Sequence, residues 1–212
     1  MTRRLPHRGA KGDLVKFAQD FIRKRIGSLS KDIAICLTDT PSGDGTSITH
    51  AYFPALAACC AFLEYMTGLH RGKLSGIGWD IAAIWAAKYL DNSHYTHDIV
   101  RVLFDGFRHS VAHRGIATGI WIDRHPDGKL NRRVTWKLTE FAERPACRLV
   151  EENGVLTNDP PWPCPHTHRM HIHLAALAQD LCAGAEAYAN DLARDEGLQR
   201  NFENAMTILY PR

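Results

Sequence analysis

The sequence predicts a mainly α protein, a helical bundle with a small β-hairpin insertion between helices 4 and 5. Three observations predict it. Apolar residues recur at helical spacing through most of the chain up to about residue 115 and again from about residue 169. Between 116 and 157 the period drops to two, the spacing of a half-buried strand. Clusters of Gly, Pro, Asn, Asp and Ser fall between these segments. With 212 residues, 45% hydrophobic and 23% charged, the chain suits one domain able to bury a real core. The expected layout is a single helical domain over 1–212, with a basic arm at 1–12 and the β insertion at 116–157.

Asp13 can cap a first helix running to about Ile26, with Leu14, Phe17, Ala18, Phe21 and Ile22 on one face. Beyond it Ile33, Ile35 and Leu37 alternate, which leaves a short strand open, and residues 38–49 read as loop. A second helix from about His50 to Thr67 is apolar nearly all round, so it is expected at the centre, with Gly68 ending it. Gly76 and Gly78 precede a third helix from about Trp79 to Leu90, with Ile81, Ile84, Trp85 and Leu90 inward, and Asp91-Asn92-Ser93 turns the chain. A fourth helix, about Thr96 to His113, carries Ile99, Val100, Leu103, Phe104 and Phe107, with Gly115 as its stop. Ile116 to Asp123 and Arg132 to Thr139 read as two strands joined by a turn at His125 to Lys129. A second hairpin is expected around Asn153-Gly154. Residues 159–165, rich in Pro, exclude regular helix or strand, and Trp162 within them reads as a loop anchor. A long helix follows from about Arg169 to Arg194, using Ile172, Leu174, Leu177, Leu181, Ala185, Tyr188 and Leu192, and a last one from about Glu196 to Leu209.

No apolar run approaches the roughly 18–20 residues of a bilayer span; the best candidate, Ala51 to Met66, is too short and carries Glu64. The N-terminus is basic but lacks the apolar stretch of a secretory signal. Six scattered cysteines without a C-x-x-C pair fit a reducing compartment. A cytoplasmic protein with no membrane partner is therefore expected. The net charge of +3 is mild, yet residues 1–31 hold nine Lys/Arg against Asp13 and Asp20. That region is either a phosphate contact or a solvated helix face with a frayed tail. No phosphate-loop, dinucleotide or nucleophile-elbow motif is present.

The segment that looks built for chemistry is Phe107-Arg108-His109-Ser110-Val111-Ala112-His113-Arg114-Gly115. An imidazole titrates near neutral pH and can take the proton of a ribose 2′-OH. A guanidinium is always charged and can hold a phosphate as negative charge grows on it. Five residues along an ideal α-helix separate Arg108 and His113 by roughly 140°. Either the helix ends between them or a symmetric dimer completes the site. Glu64 either orients Arg108 or His113 or lies exposed near the end of its helix, and its position favours exposure.

These residues resemble the HEPN superfamily, whose members carry an Arg-x(4–6)-His motif late in a helical bundle and often act as metal-independent ribonucleases after dimerising. The match is Arg108, four intervening residues and His113, within the helical setting of residues 50–210. The family commonly has Asn directly after the Arg; here that place is His109. The resemblance implies Arg108 and His113 as catalytic residues, with His109, Ser110 and Arg114 binding substrate. It also implies RNA as partner, a homodimer and no cofactor. Inactive RNA-binding relatives and toxin-like roles occur in the superfamily, and with the latter a regulatory protein partner.

Two other readings stay open. Arg108 and Arg114 can bind helix-end carbonyls while His113 caps the helix dipole, as in a non-enzymatic interaction module. Alternatively, His109 and His113, spaced i, i+4, can join His166, His168, His171 or His173 around a metal, in a His-ligated hydrolase. Surface histidines at a Pro-rich helix entry are the plainer account of that cluster.

Overall fold

The computed structural model describes residues 11–41, 48–108, 119–124, 131–156 and 162–211. The first helix, α1, is Lys11–Cys36, a single element with no strand in its second half. Ile22, Leu29 and Ile33 repeat at helical intervals and are buried, whereas Ile35 is 73% exposed, so the alternation was incidental. Thr40–Pro41 (β1) and Ile48–Thr49 (β2) make a minimal antiparallel pair.

The second helix, α2 (Tyr52–Arg71), runs one turn past Gly68 and stops at Gly72, whose φ of 78° needs glycine. Gly68 is instead buried within the helix. The added turn makes α2 long and apolar enough, by length and composition, to cross a membrane, which the shorter sequence segment was not. It packs against α1, α3 (Trp79–Tyr89) and two later helices, α5 (Leu174–Asp191) and α6 (Glu196–Leu209). In α3 the inward residues are Ala82, Ala83, Trp85 and Ala86, while Ile84 is exposed. Gly184 of α5 lets that helix come close to α3: a Cβ there would stand 3.0 Å from the Tyr89 carbonyl oxygen and 2.8 Å from the Leu90 side chain.

Thr96 caps α4 (His97–Arg101) by accepting the Ile99 N–H, after which Val102–Arg108 continues as a π-helical turn. The expected end of this helix at His113, with Gly115, lies outside the described residues. Trp121–Arg124 (β3) and Asn131–Thr139 (β4) form the expected antiparallel hairpin; its turn lies outside the described residues. The second hairpin is replaced by one strand, β5 (Cys147–Leu156), with an irregularity between Glu151 and Gly154. Its partner is β6 (Cys164–His173), so the long helix begins at Leu174 and residues 169–173 are strand. Strand order is β3-β4-β6-β5, with β4 and β6 parallel and the other pairs antiparallel. The sheet thus extends to His173, beyond the 116–157 expected of an insertion. Trp162, expected to anchor a loop, is exposed.

One buried cluster draws on α1 through α6 and on the sheet, through Val134, Cys147, Met170 and Ile172. The sheet is fastened to α4 by charge. Asp123 on β3 is 1% exposed and accepts from Arg101 Nη1 and Nη2 at 2.6 and 2.7 Å, and from Arg132 Nε at 2.9 Å. Arg132 also spans to Asp98 of α4, at 2.6 Å to each carboxylate oxygen. Replacing Asp123 by Asn leaves two guanidinium groups without their buried counter-charge. That costs about 3–5 kcal/mol on the scale for breaking buried pairs, read as a fall in denaturation midpoint. Hydrogen bonds from Arg132 hold the Asp98 carboxyl below its usual range. A depressed carboxylate stabilises the fold above its unfolded pKa, and that stability disappears as pH falls through the folded value. Asp98→Asn is therefore expected to flatten the acid limb of a stability–pH profile, measured by thermal melts below pH 5.

Candidate active site at the end of helix α4

The π-turn is placed by the sheet. A Cβ on Gly106 would stand 2.7 Å from the Trp136 ring and 3.2 Å from the Trp121 ring, so only glycine permits this approach. Phe107, next in line, is fully buried against Trp136. With those two residues fixed, Arg108 at the last described position of the turn is directed toward α2.

There it meets Glu64. Arg108 Nε donates to Glu64 Oε2 at 2.9 Å, and Nη2 donates to Oε1, a side-on bidentate pair. Both side chains are about one quarter exposed (27% and 26%), so solvent reaches the pair. This pairing uses two of the five guanidinium N–H donors and turns the opposite edge away from the carboxylate. The favoured sequence reading of Glu64 as an exposed residue near a helix end is corrected: α2 continues to Arg71, which puts Glu64 well inside it, over the π-turn.

Cys60, one turn before Glu64, lies under the pair with Sγ 4.0 Å from the Leu103 carbonyl oxygen. Burial pushes its thiol up to about 12, with Arg108 pulling it down and Glu64 pushing it up. It stays protonated at neutral pH and is no thiolate nucleophile.

His109, Ser110, His113 and Arg114 lie outside the described residues, so of the predicted site Arg108 alone is placed, together with the acid that orients it. The histidine cluster is placed, and it does not converge. His166, His168, His171 and His173 all stand on β6, where neighbouring positions point to opposite faces. His168 is registered with Val134 on the core side, while His171 is registered with Lys137 on the other. Among the described residues no group of three or more His, Cys, Asp or Glu side chains is arranged to hold a metal ion.

A cleft of about 460 Å³ opens beside the Asp98–Arg132 pair and is lined among others by His94, Arg148, Glu151 and His168. Burial, then Arg132, lowers the pKa of His168, which leaves it neutral at pH 7 as a hydrogen-bonding wall. Sequence reasoning missed this cluster. The available signals were the i, i+3 spacing of Asp98 and Arg101 and the Asp123 and Arg132 that flank the hairpin turn, each ordinary for a surface.

Comparison with protein-family models, with curated proteins and with solved structures finds no match.

Glu64→Gln removes the counter-charge while keeping one carbonyl oxygen for Arg108. The expected loss is about 1–3 kcal/mol in chemical denaturation, the range for a part-buried charged hydrogen bond. A double-mutant cycle of Glu64→Gln with Arg108→Ala should return a coupling of about 0.5–3 kcal/mol; additive effects would show that the pair is not an energetic unit.

Proposed function

We propose that this protein is an HEPN-like, metal-independent endoribonuclease, with Arg108 clamping the scissile phosphate and His113 moving the proton. The observation that carries the reading is the Arg108–Glu64 pair at the end of a π-turn. It holds a guanidinium in one orientation, partly open to solvent, at the position where the Arg-x4-His motif needs its phosphate ligand. One further feature supports it: π-turns within α-helices concentrate at functional sites, and Arg108 closes the turn Val102–Arg108.

The chemistry is a transesterification. His113 as neutral imidazole takes the 2′-OH proton, and the 2′ oxygen attacks the adjacent phosphorus. A new P–O2′ bond forms as the P–O5′ bond breaks. The O5′ takes up a proton and leaves as a 5′-hydroxyl, and the other fragment ends in a 2′,3′-cyclic phosphate. Arg108 offsets charge on the non-bridging oxygens as it builds. Glu64 acts through Arg108 and is a positioning residue. His109, Ser110 and Arg114 are assigned to substrate binding, and a homodimer is the form in which such sites are completed.

The ion pair also suits a non-enzymatic helical interaction module, in which Arg108 clamps α4 to α2. The assay that separates the two uses purified protein on structured and unstructured RNA in EDTA. Arg108→Ala is expected to cut about 10²–10³-fold more slowly, the cost of losing one transition-state donor, and His113→Ala about 10²–10⁴-fold. Cutting that stops when EDTA is added, or that survives both substitutions, overturns the mechanism. No cutting by wild type, with a large loss of thermal stability in His113→Ala, selects the interaction module.

A further inference from the structure

Across the three strands β4, β6 and β5, Lys137 is registered with His171 and His171 with Arg148, so the three form one cross-strand row. Residues two apart on a strand share a face, which adds Arg133 on β4 and Arg169 and His173 on β6. This is the side of the sheet turned away from the buried Val134, Met170 and Ile172. Lys137 and Arg148 are exposed, and Arg169 and His171 are partly so. Two carboxylates reach this face at its margins. Glu152 stands 3.0 Å from Arg169 Nη2 and 3.9 Å from His171 Nε2, and Glu143 stands 3.9 Å from His173 Nε2. Among the described residues Lys137 and Arg148 form no ion pair.

Like charges gathered on neighbouring strands destabilise a sheet, and here they are gathered without full compensation. Burial, then Lys137 and Arg148, drives the His171 pKa below its ordinary value. A donor on this face also lacks an acceptor: Arg169 Nε is buried with no partner among the described residues.

We propose that this sheet face binds the phosphodiester backbone of single-stranded RNA through Lys137, Arg148 and Arg169. The spacing favours a repeating polyanion. Lys137 and Arg148 stand two strands apart, about 9.6 Å, and Arg169 lies one strand over and two residues along from each, about 8 Å, so the three cations can meet successive charges of one flexible polyanion. The face carries Ile122, Val150 and Val155 but, among the described residues, no Trp, Phe or Leu of the kind that seats a protein in a bilayer. Nor do those residues offer an aromatic platform for bases, so binding is tolerant of sequence and steep in salt. The choice of RNA over other polyanions rests on the nuclease reading of Arg108 and His113; the anion site itself does not.

The test is fluorescence anisotropy of a labelled single-stranded RNA with the full chain, in wild type and in His113→Ala, across a salt series. Three neutralised phosphates give a slope of log K against log salt of about −2, at roughly −0.7 each. Lys137→Gln with Arg148→Gln should bring the slope to about −0.7 and weaken binding at least tenfold (~1.4 kcal/mol), with thermal melting unchanged. Arg148→Lys, which keeps the charge, should bind like wild type. A slope that does not move overturns the proposal. So does a slope that responds instead to Lys24→Gln with Lys31→Gln on α1, or phosphatidylserine-vesicle binding that the double variant abolishes while RNA binding persists. Absence of RNA cleavage would count against the Arg108–His113 chemistry and leaves this binding result readable in its own right.

Discussion

Asp123 is an almost fully buried carboxylate on a four-residue edge strand, and the placement of the sheet depends on how its charge is met. Moving an ion of that kind out of water costs several kcal/mol even after relaxation. Here Arg101 answers from the helix side and Arg132 from the neighbouring strand, and Asp98 takes up the second guanidinium. The four side chains satisfy one another only when α4, β3 and β4 are in register. A hydrophobic replacement of equal volume would bind the layers as well, but it would tolerate sliding. The charged cluster has directional contacts and tolerates little. From that fixed register follow the contact of Gly106 with Trp136 and Trp121, and then the direction of Arg108.

The Arg108–Glu64 pair changes what the guanidinium can contribute to a reaction. A free arginine on a helix end carries about 2 kcal/mol of rotamer entropy that a phosphate would have to remove on binding. With Glu64 holding the Nε edge, most of that ordering is complete before the proposed substrate would arrive. The carboxylate also screens the positive charge in the ground state, so uniform attraction for any phosphate is reduced. What remains is the other edge of the guanidinium, which in the proposed cleavage would gain most as extra charge develops on the phosphorane oxygens. Interactions that strengthen toward the transition state raise turnover, whereas uniform ones only tighten binding.

Much of the helical part was legible because burial and periodicity agree there. Leu174, Leu177, Leu181, Ala185, Tyr188 and Leu192 repeat at 3.6 and are all buried. The sequence lost its way where two periods overlap. Met170, Ile172 and Leu174 fit alternation as well as a helix start, and the Pro-rich approach argued against a strand. Pro165 is nevertheless accommodated, because it lies beyond the first registered pair of β4 and β6, Val134 with His168, where no ladder bond to β4 is needed. The role of Glu64 was hidden for a different reason. Its partner is 44 residues away, and the two meet only because α2 packs on the π-turn. Long-range charge pairs leave no local pattern, and the Asp123 cluster escaped notice on the same ground.

The two proposed contacts with RNA sit on opposite sides of the sheet, and this constrains how they can work together. Trp136, against which Gly106 and Phe107 pack, faces the helices, while its neighbour Lys137 faces away. Packed layers stand about 10 Å apart, so no single phosphate can touch both Arg108 and the Lys137–His171–Arg148 row. An RNA engaged by both must pass around an edge of the sheet, or reach the row of one protomer and the Arg108 of another. The first route demands a flexible single strand, since a stiff duplex cannot make that turn. The second is available only in a dimer. Under either geometry the cationic row adds affinity and leaves the chemical step to Arg108 and His113. Changes in the row would then act through substrate capture, while changes at Arg108 would act on turnover.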